Sequence, residues 1–222
     1  MQVGVLGTGI VGRTLASRLL ELGHHVTLGS RTKGNDAAMQ WLAQAGEGAP
    51  GRAQIGTFGD AAGPADLVIN ATAGMASISA LMQAGADAIN GKPLIDVSNA
   101  LDFSHGFPPR LFVSNDDSLG EQIQAAFPDA LVVKSLNTVT AAVMVNPSLV
   151  PGHHVVFVAG NDDGAKQTVS ALLGEFGWAP DQIIDLGDIT AARAAEMYLP
   201  LWLRLMGATN TPYFNIDLIK QS

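Results

Sequence analysis

Gly7-Thr8-Gly9-Ile10-Val11-Gly12 follows the apolar run Gln2-Val3-Gly4-Val5-Leu6 and opens a helical pattern that continues to Leu22. A G-x-G-x-x-G series between a strand and a helix is built for a diphosphate. The first glycine makes the tight turn, the second lets the backbone approach a pyrophosphate, and the third lets the helix pack closely on the strand. Unpaired N–H groups of the first helical turn then face the anion. The next strand, His25-Val26-Thr27-Leu28, runs into Gly29 and then Ser30-Arg31-Thr32-Lys33. A carboxylate normally stands there to take an adenosine ribose 2′-hydroxyl. This chain offers two hydroxyls, a guanidinium and an ammonium, the donors that a 2′-phosphate dianion needs. Gly7, Thr8, Gly9, Ile10, Val11, Gly12, Ser30, Arg31, Thr32 and Lys33 are therefore expected to bind NADP(H).

The elements that must carry these residues alternate. After the second strand the pattern gives a helix over Asn35–Ala45, a loop over Gly46–Gly51, a third strand over Ala53–Phe58, a short helical turn at Asp60–Ala62 and a fourth strand over Asp66–Thr72. A helix from about Ser77 to Ile89 and a fifth strand from Lys92 to Val97 follow. Alternation of this kind predicts an α/β fold, a Rossmann-type doubly wound parallel sheet, with ligand at the carboxyl ends of the strands. Thr72, Ala73 and Asn99 stand at such ends and join the expected cofactor set. Residues 100–117 form a long loop rich in turn residues. Ser118 starts a helix to Ala126, Leu131–Ser135 is a sixth strand, and Leu136 to Ala142 leaves it.

Residues 1–150 are read as the NADP-binding domain. Residues 151–222 are read as a small C-terminal α/β extension packed on the same unit, with strands at Val155–Ala159 and Gln182–Leu186, a helix from Asp162 to Gly177 and a last helix after Asp188. That last helix, with Met197, Tyr198, Leu201, Trp202, Leu205 and Met206, is apolar around much of its circumference. Either the chain buries it or it closes a homodimer.

Composition narrows the partners. The 222 residues carry a formal charge of −8 and no cysteine. Nucleic acid is an unfavourable partner for such a surface, and disulfides, thiol nucleophiles and cysteinyl metal sites are absent together. His24-His25 and His153-His154 are adjacent pairs whose side chains point to opposite faces of a strand, so no metal site is expected from them. No Gly-x-Ser-x-Gly elbow is present. Folding begins at residue 2 and no apolar run reaches membrane-spanning length, which leads to the expectation of a cytoplasmic protein without a membrane partner.

The fingerprint, Ser30-Arg31, Asp96-Val97-Ser98-Asn99, Lys134-Ser135-Leu136-Asn137-Thr138 and Ala192-Arg193-Ala194-Ala195-Glu196, in this order, resemble one family over nearly the whole chain. It is the NADP-dependent oxidoreductases that reduce or reoxidise coenzyme F420, an 8-hydroxy-5-deazaflavin. The NADPH-binding domain of the six-transmembrane ferric reductases is similar, and especially so at Ser118-Leu119-Gly120-Glu121 and Phe127-Pro128-Asp129-Ala130. The resemblance implies that Ser30 and Arg31 hold the 2′-phosphate and that Asn137, Thr138 and Ala141 border the nicotinamide and the accepting ring. The deazaflavin enzymes tend to carry a histidine in place of Asn137 and a Pro-Trp-like pair in place of Ala73-Gly74. Hydride transfer between stacked rings needs close approach and no obligatory protein acid, which suits the small residues Ala73, Gly74, Thr138 and Ala141. The expected activity is hydride exchange between NADP(H) and a deazaflavin. The alternatives are an NADPH-dependent flavin or ferric reductase and, from another class, a non-catalytic NADP-binding redox sensor.

Overall fold

The computed structural model describes residues 1–45 and 47–221. Gly46, the first residue of the loop expected at Gly46–Gly51, lies outside the described residues. The chain runs β1 (Gln2–Leu6), α1 (Ile10–Glu21), β2 (His25–Ser30), α2 (Asp36–Ala45), β3 (Ala53–Thr57), α3 (Phe58–Ala62), β4 (Leu67–Asn70), α4 (Gly74–Ala84), α5 (Ala86–Ile89) and β5 (Pro93–Asp96). It continues through β6 (Leu101–Asp102), β7 (Arg110–Leu111), α6 (Leu119–Ala126), β8 (Leu131–Ser135), α7 (Ala141–Val145), β9 (Val156–Gly160), α8 (Asp163–Phe176), β10 (Ile183–Asp185), α9 (Ala192–Met197) and α10 (Leu199–Thr209).

Eight strands form one sheet in the order β10-β9-β8-β5-β4-β1-β2-β3. The order reverses between β1 and β4, the point at which an open α/β sheet leaves a crevice beyond its carboxyl ends. The buried strands read as continuous apolar runs because both faces are covered. All four residues of β4 are buried, for example. On one face α1, α2, α7 and α8 pack Leu15, Trp41, Val143 and Leu172 into a common core. On the other, α3, α4, α6 and α9 contribute Ala61, Leu81, Ile123 and Ala192. A fully buried leucine such as Leu15 contributes about 1.5–3 kcal/mol through the area it removes from water.

The expected parallel sheet needs one correction. β9 runs antiparallel to β8, with Lys134 opposite Ala159, while β10 is again parallel to β9. Residues 151–222 thus add two strands to the main sheet. The helix expected over about Ser77–Ile89 is two helices that meet at Gly85, whose φ of +92° interrupts the first. The stretch read as a loop over residues 100–117 contains a two-stranded antiparallel hairpin, β6 with β7. The single last helix is a 3-10 turn (Ile189–Ala191) followed by α9 and α10, which meet at Tyr198 just before Pro200. Proline supplies no N–H to continue a helix and fits its first turn.

Candidate functional site

The three fingerprint glycines do three different jobs. Gly7 has φ +117°, and a Cβ on it would lie 2.5 Å from the Ala71 carbonyl oxygen, so it makes the turn and lets β1 and the end of β4 meet. A Cβ on Gly12 would lie 1.9 Å from the Gly7 carbonyl oxygen, which brings α1 tightly onto the turn. Around Gly9 nothing lies within 4 Å of the Cβ position. That open face is where a ligand can touch the backbone. Gly9 also caps α1 without any side-chain bond, and the first turn of α1 has no acidic residue. Its N–H groups and the positive end of its dipole are left for an anion.

Gly7, Thr8, Gly9, Ser30, Arg31, Thr72 and Ala73 line one cleft of about 400 Å³. Asn35, Phe58, Ala76, Ser79, Ala80 and Gln83 line it too, and sequence reasoning had not singled them out. One signal for Phe58 was available: Thr57 and Asp60 form a capping box, so Phe58 must open a helix there. A larger hollow of about 530 Å³ lies on the outer side of α1 between Trp41 and Asn146. It holds none of the fingerprint glycines, so volume alone does not locate the cleft. Ile10 faces that hollow and is 72% exposed, while Val11 packs on the core. Neither side chain lines the cleft, so the part these two can play there is that of N–H groups at the start of α1.

The loop after β2 separates its donors. Ser30 is buried and donates to the Thr32 carbonyl at 2.6 Å. Arg31 and Thr32 are exposed, and among the described residues no ion pair involves Arg31. Lys33 is already engaged by Asp60 at 3.3 Å. The Thr57 N–H and hydroxyl, and then Lys33, hold the Asp60 carboxyl below its ordinary range. Among the described residues that line the cleft, Arg31 is the cation left without an ion pair.

At the end of β4, Thr72 donates its hydroxyl to Asn70 Oδ1 at 2.7 Å and lies 3.1 Å from Ser77 Oγ. Gly74 starts α4 with its missing Cβ only 2.0 Å from the Asn99 carbonyl oxygen. Its smallness serves that close approach of α4 to the loop after β5.

Asn99, Asn137, Thr138 and Ala141 form a second station on the same carboxyl edge, outside the lining of the cleft. Asn99 Nδ2 donates to the Asn137 carbonyl and Asn137 Nδ2 donates to Asn99 Oδ1, each at 3.0 Å. Asn137 Nδ2 also reaches the Ala195 carbonyl at 3.0 Å, which ties the turn after β8 to α9. Leu136 enters that turn at φ +63°, a left-handed conformation that costs a leucine about 1–2 kcal/mol. The Thr138 hydroxyl is buried with no hydrogen-bond partner. Buried hydroxyls are ordinarily paired, so this one has a bond left to offer.

Three of the five histidines take structural places. His24 lies 2.9 Å from Glu175, His153 pairs with Asp217, and His154 is edge-on to Trp178. Among the described residues no three His, Asp or Glu side chains are grouped to hold a metal ion. No helix of the described residues is long and apolar enough to cross a membrane. α10 buries only Leu199 and leaves Leu201 exposed, with Trp202 stacked on Phe214 at 5.4 Å. Of the apolar residues expected to be covered, Tyr198, Trp202, Leu205 and Met206 are partly buried within the chain, while Met197 and Leu201 are exposed.

Residues 2–100 match the family described as NADP oxidoreductase, coenzyme F420-dependent. A crystal structure from Arthrobacter sp. FB24, assigned as an F420-dependent NADP-reductase, is 49% identical, with a TM-score of 0.92 over 99% of this chain and 100% of that one. The F420-dependent NADP reductase of Methanocaldococcus jannaschii is 29% identical over 92% of each chain. Metalloreductase STEAP3 of Rattus norvegicus is 31% identical over 90% of this chain, and the match spans only 38% of that longer protein.

Proposed function

Since the chain belongs to the coenzyme F420-dependent NADP oxidoreductases and is an NADP-dependent oxidoreductase, we propose that it passes hydride between NADP(H) and the deazaflavin ring of coenzyme F420. The fit of the dinucleotide rests on the open face at Gly9 and the unpaired Arg31 guanidinium, which share one cleft. In this reading Gly7, Gly9 and the first N–H groups of α1 take the pyrophosphate. Arg31, with Ser30 and Thr32 beside it, takes the 2′-phosphate, and Thr72 and Ala73 border the ribose on the way to the nicotinamide.

The observation that carries the acceptor assignment is the character of the second station. Asn99, Asn137, Thr138 and Ala141 are all non-titratable, and the charged groups Asp96, Lys134 and Glu196 behind them are buried, Lys134 being paired with both carboxylates. A ring that accepts hydride directly from nicotinamide C4 needs positioning and no protein acid. Asn99 and Asn137 supply rigid amide edges, and Ala141 leaves room for two rings to stack.

A flavin is the second reading, favoured by the 31% identity to a metalloreductase and by Asn137. The two readings separate in one experiment, NADPH oxidation followed in parallel against purified F420, FMN, FAD and ferric chelates. Reduction of F420 at a rate well above the others supports the proposal. Turnover with FAD or ferric chelate and none with F420 replaces it with the second. We further propose that the exposed side of α10 pairs two copies of the chain as a homodimer.

A further inference from the structure

One charged residue lies inside each of β5 and β8, and the two are opposite: Asp96 and Lys134 are register partners. Both side chains are fully buried. The Lys134 ammonium donates to Asp96 Oδ2 at 2.7 Å and to the Ser98 carbonyl at 2.6 Å, and pairs with Glu196 Oε1 at 2.8 Å. Its three N–H bonds have three acceptors. Asp96 Oδ1 in turn accepts from Asn70 Nδ2 at 2.8 Å and from the Ser98 hydroxyl at 2.6 Å. Glu196 accepts from the Leu119 and Gly120 N–H groups at 2.9 and 3.0 Å, so it also caps α6. Burial alone would push the lysine pKa down. The Asp96 and Glu196 carboxylates outweigh that penalty and hold its pKa above the ordinary lysine value.

Apolar side chains of similar volume would fill this space at least as stably, because buried ions lose their hydration. Ions and their hydrogen bonds do something apolar packing cannot, which is to fix the direction of particular backbone groups. The groups fixed here are informative. Ser98 precedes Asn99, and Glu196 follows Ala195, whose carbonyl receives Asn137 Nδ2. The cluster therefore reaches Asn99 through the adjacent Ser98, and Asn137 through the carbonyl of Ala195, the neighbour of Glu196.

We propose that Lys134, with Asp96 and Glu196, is a positioning residue for hydride transfer, holding the Asn99–Asn137 pair in the register against which the reacting rings stack. The inference rests on the assignment of that pair to the ring-stacking station. NADP(H) anchoring at Gly9 and Arg31 lies elsewhere and is independent of it.

The test compares wild type with Lys134→Met, Glu196→Gln and the double variant by thermal denaturation, NADPH titration and single-turnover hydride transfer to the acceptor that wild type reduces. Lys134→Met leaves two buried carboxylates without their cation, so its Tm falls. The double variant leaves one such carboxylate in place of two, Asp96, still bonded to Asn70 and Ser98, so Tm recovers in part. Hydride transfer is expected to slow about tenfold or more in both, since small misplacements of reacting groups are costly. NADPH affinity is expected to stay within about threefold, the same misplacement leaving the distant anchors untouched. Glu196→Gln keeps the Lys134–Asp96 bond and is expected to slow transfer to a smaller degree at unchanged NADPH affinity. A rate that recovers together with Tm in the double variant would reduce the cluster to a stability element and overturn the proposal. So would a wild-type rate in Glu196→Gln, the readout that stands if the Lys134 variants fail to fold. A wild type that transfers hydride to none of the acceptors would instead overturn the proposed function, a separate outcome.

Discussion

Gly12 sits so close to Gly7 that a single methyl group between them would enter the Gly7 carbonyl oxygen, at 1.9 Å. Gly9, between the two, has no neighbour at all in the corresponding direction. The same substitution should therefore have opposite consequences at the two sites. Gly12→Ala must displace backbone and is expected to cost about 1–3 kcal/mol or more of stability. Gly9→Ala leaves an extended residue unstrained and should melt within a few degrees of wild type while binding NADPH at least about tenfold more weakly, because the methyl occupies ligand space. Differential scanning fluorimetry with NADPH titration separates the two; equal loss of Tm in both variants would contradict the argument.

Arg31 is the unpaired cation of the cleft, whereas Lys33 is held by Asp60. Charge-assisted bonds contribute about 1.5–3 kcal/mol, so Arg31→Ala should weaken NADPH about ten- to a hundredfold and leave NADH nearly unchanged. Lys33→Ala should have a much smaller effect on NADPH. Calorimetric titration with both nucleotides checks this, and equal wild-type affinities for NADPH and NADH would refute the assignment of the loop.

Ala141 opens α7 beside Asn137 and Thr138. Replacing it with phenylalanine should slow hydride transfer about tenfold or more through lost ring alignment, with NADPH affinity barely changed. Comparing dissociation constants with single-turnover rates tests this. Full-rate transfer by Ala141→Phe would move the acceptor away from the turn after β8.

His153 and Asp217 join the start of β9 to the last described residues at 2.7 Å. The Asp217 hydrogen bond raises the His153 pKa above its ordinary value near 6.5, and the same bond lowers that of Asp217 below 3.8. The histidine contribution is complete below about pH 6.5 and is lost as pH rises through the raised value, while the aspartate contribution is lost as pH falls through the lowered one. Docking of residues 211–217 should thus be firmest between about pH 4 and 6.5. Hydrogen exchange at the Val155 amide, which bonds to the Ile216 carbonyl, should be less protected at pH 8 than at pH 6 after correction for intrinsic rates. In His153→Ala that difference should vanish.

Leu201 is 55% exposed on α10. If that face pairs two copies, Leu201→Glu should convert a dimer to a monomer by light scattering without lowering NADPH affinity. A wild type already monomeric at micromolar concentration would rule the pairing out.

The parts of this protein visible in its sequence are those with local chemistry. Gly7 to Gly12 could be read because the series lies between a strand and a helix that adjoin it in sequence, with Gly12 packed on the Gly7 carbonyl, and Ser118 because its hydroxyl caps the Glu121 N–H of its own helix. The direction of β9 could not, since Val156–Gly160 has the same apolar pattern whichever way it runs. The hairpin of β6 and β7 was hidden by strands of two residues each, too short to show alternation. The cluster of Lys134 with Asp96 and Glu196 spans distant segments; its only local trace was one charge of each sign, Asp96 and Lys134, inside two otherwise apolar strands. Gly74 was legible as small, but its reason, the Asn99 carbonyl, comes from another element.

The bare end of α1 has a practical corollary for anyone measuring this protein. Uncapped N–H groups, a first turn without carboxylates and an unpaired guanidinium share one cleft, and such a surface does not distinguish a nucleotide's phosphates from those in a buffer. Phosphate, sulfate and pyrophosphate should act as competitors, shifting apparent nucleotide constants in proportion to their concentration while leaving the rate at saturation untouched. Values gathered in different buffers will disagree for that reason alone.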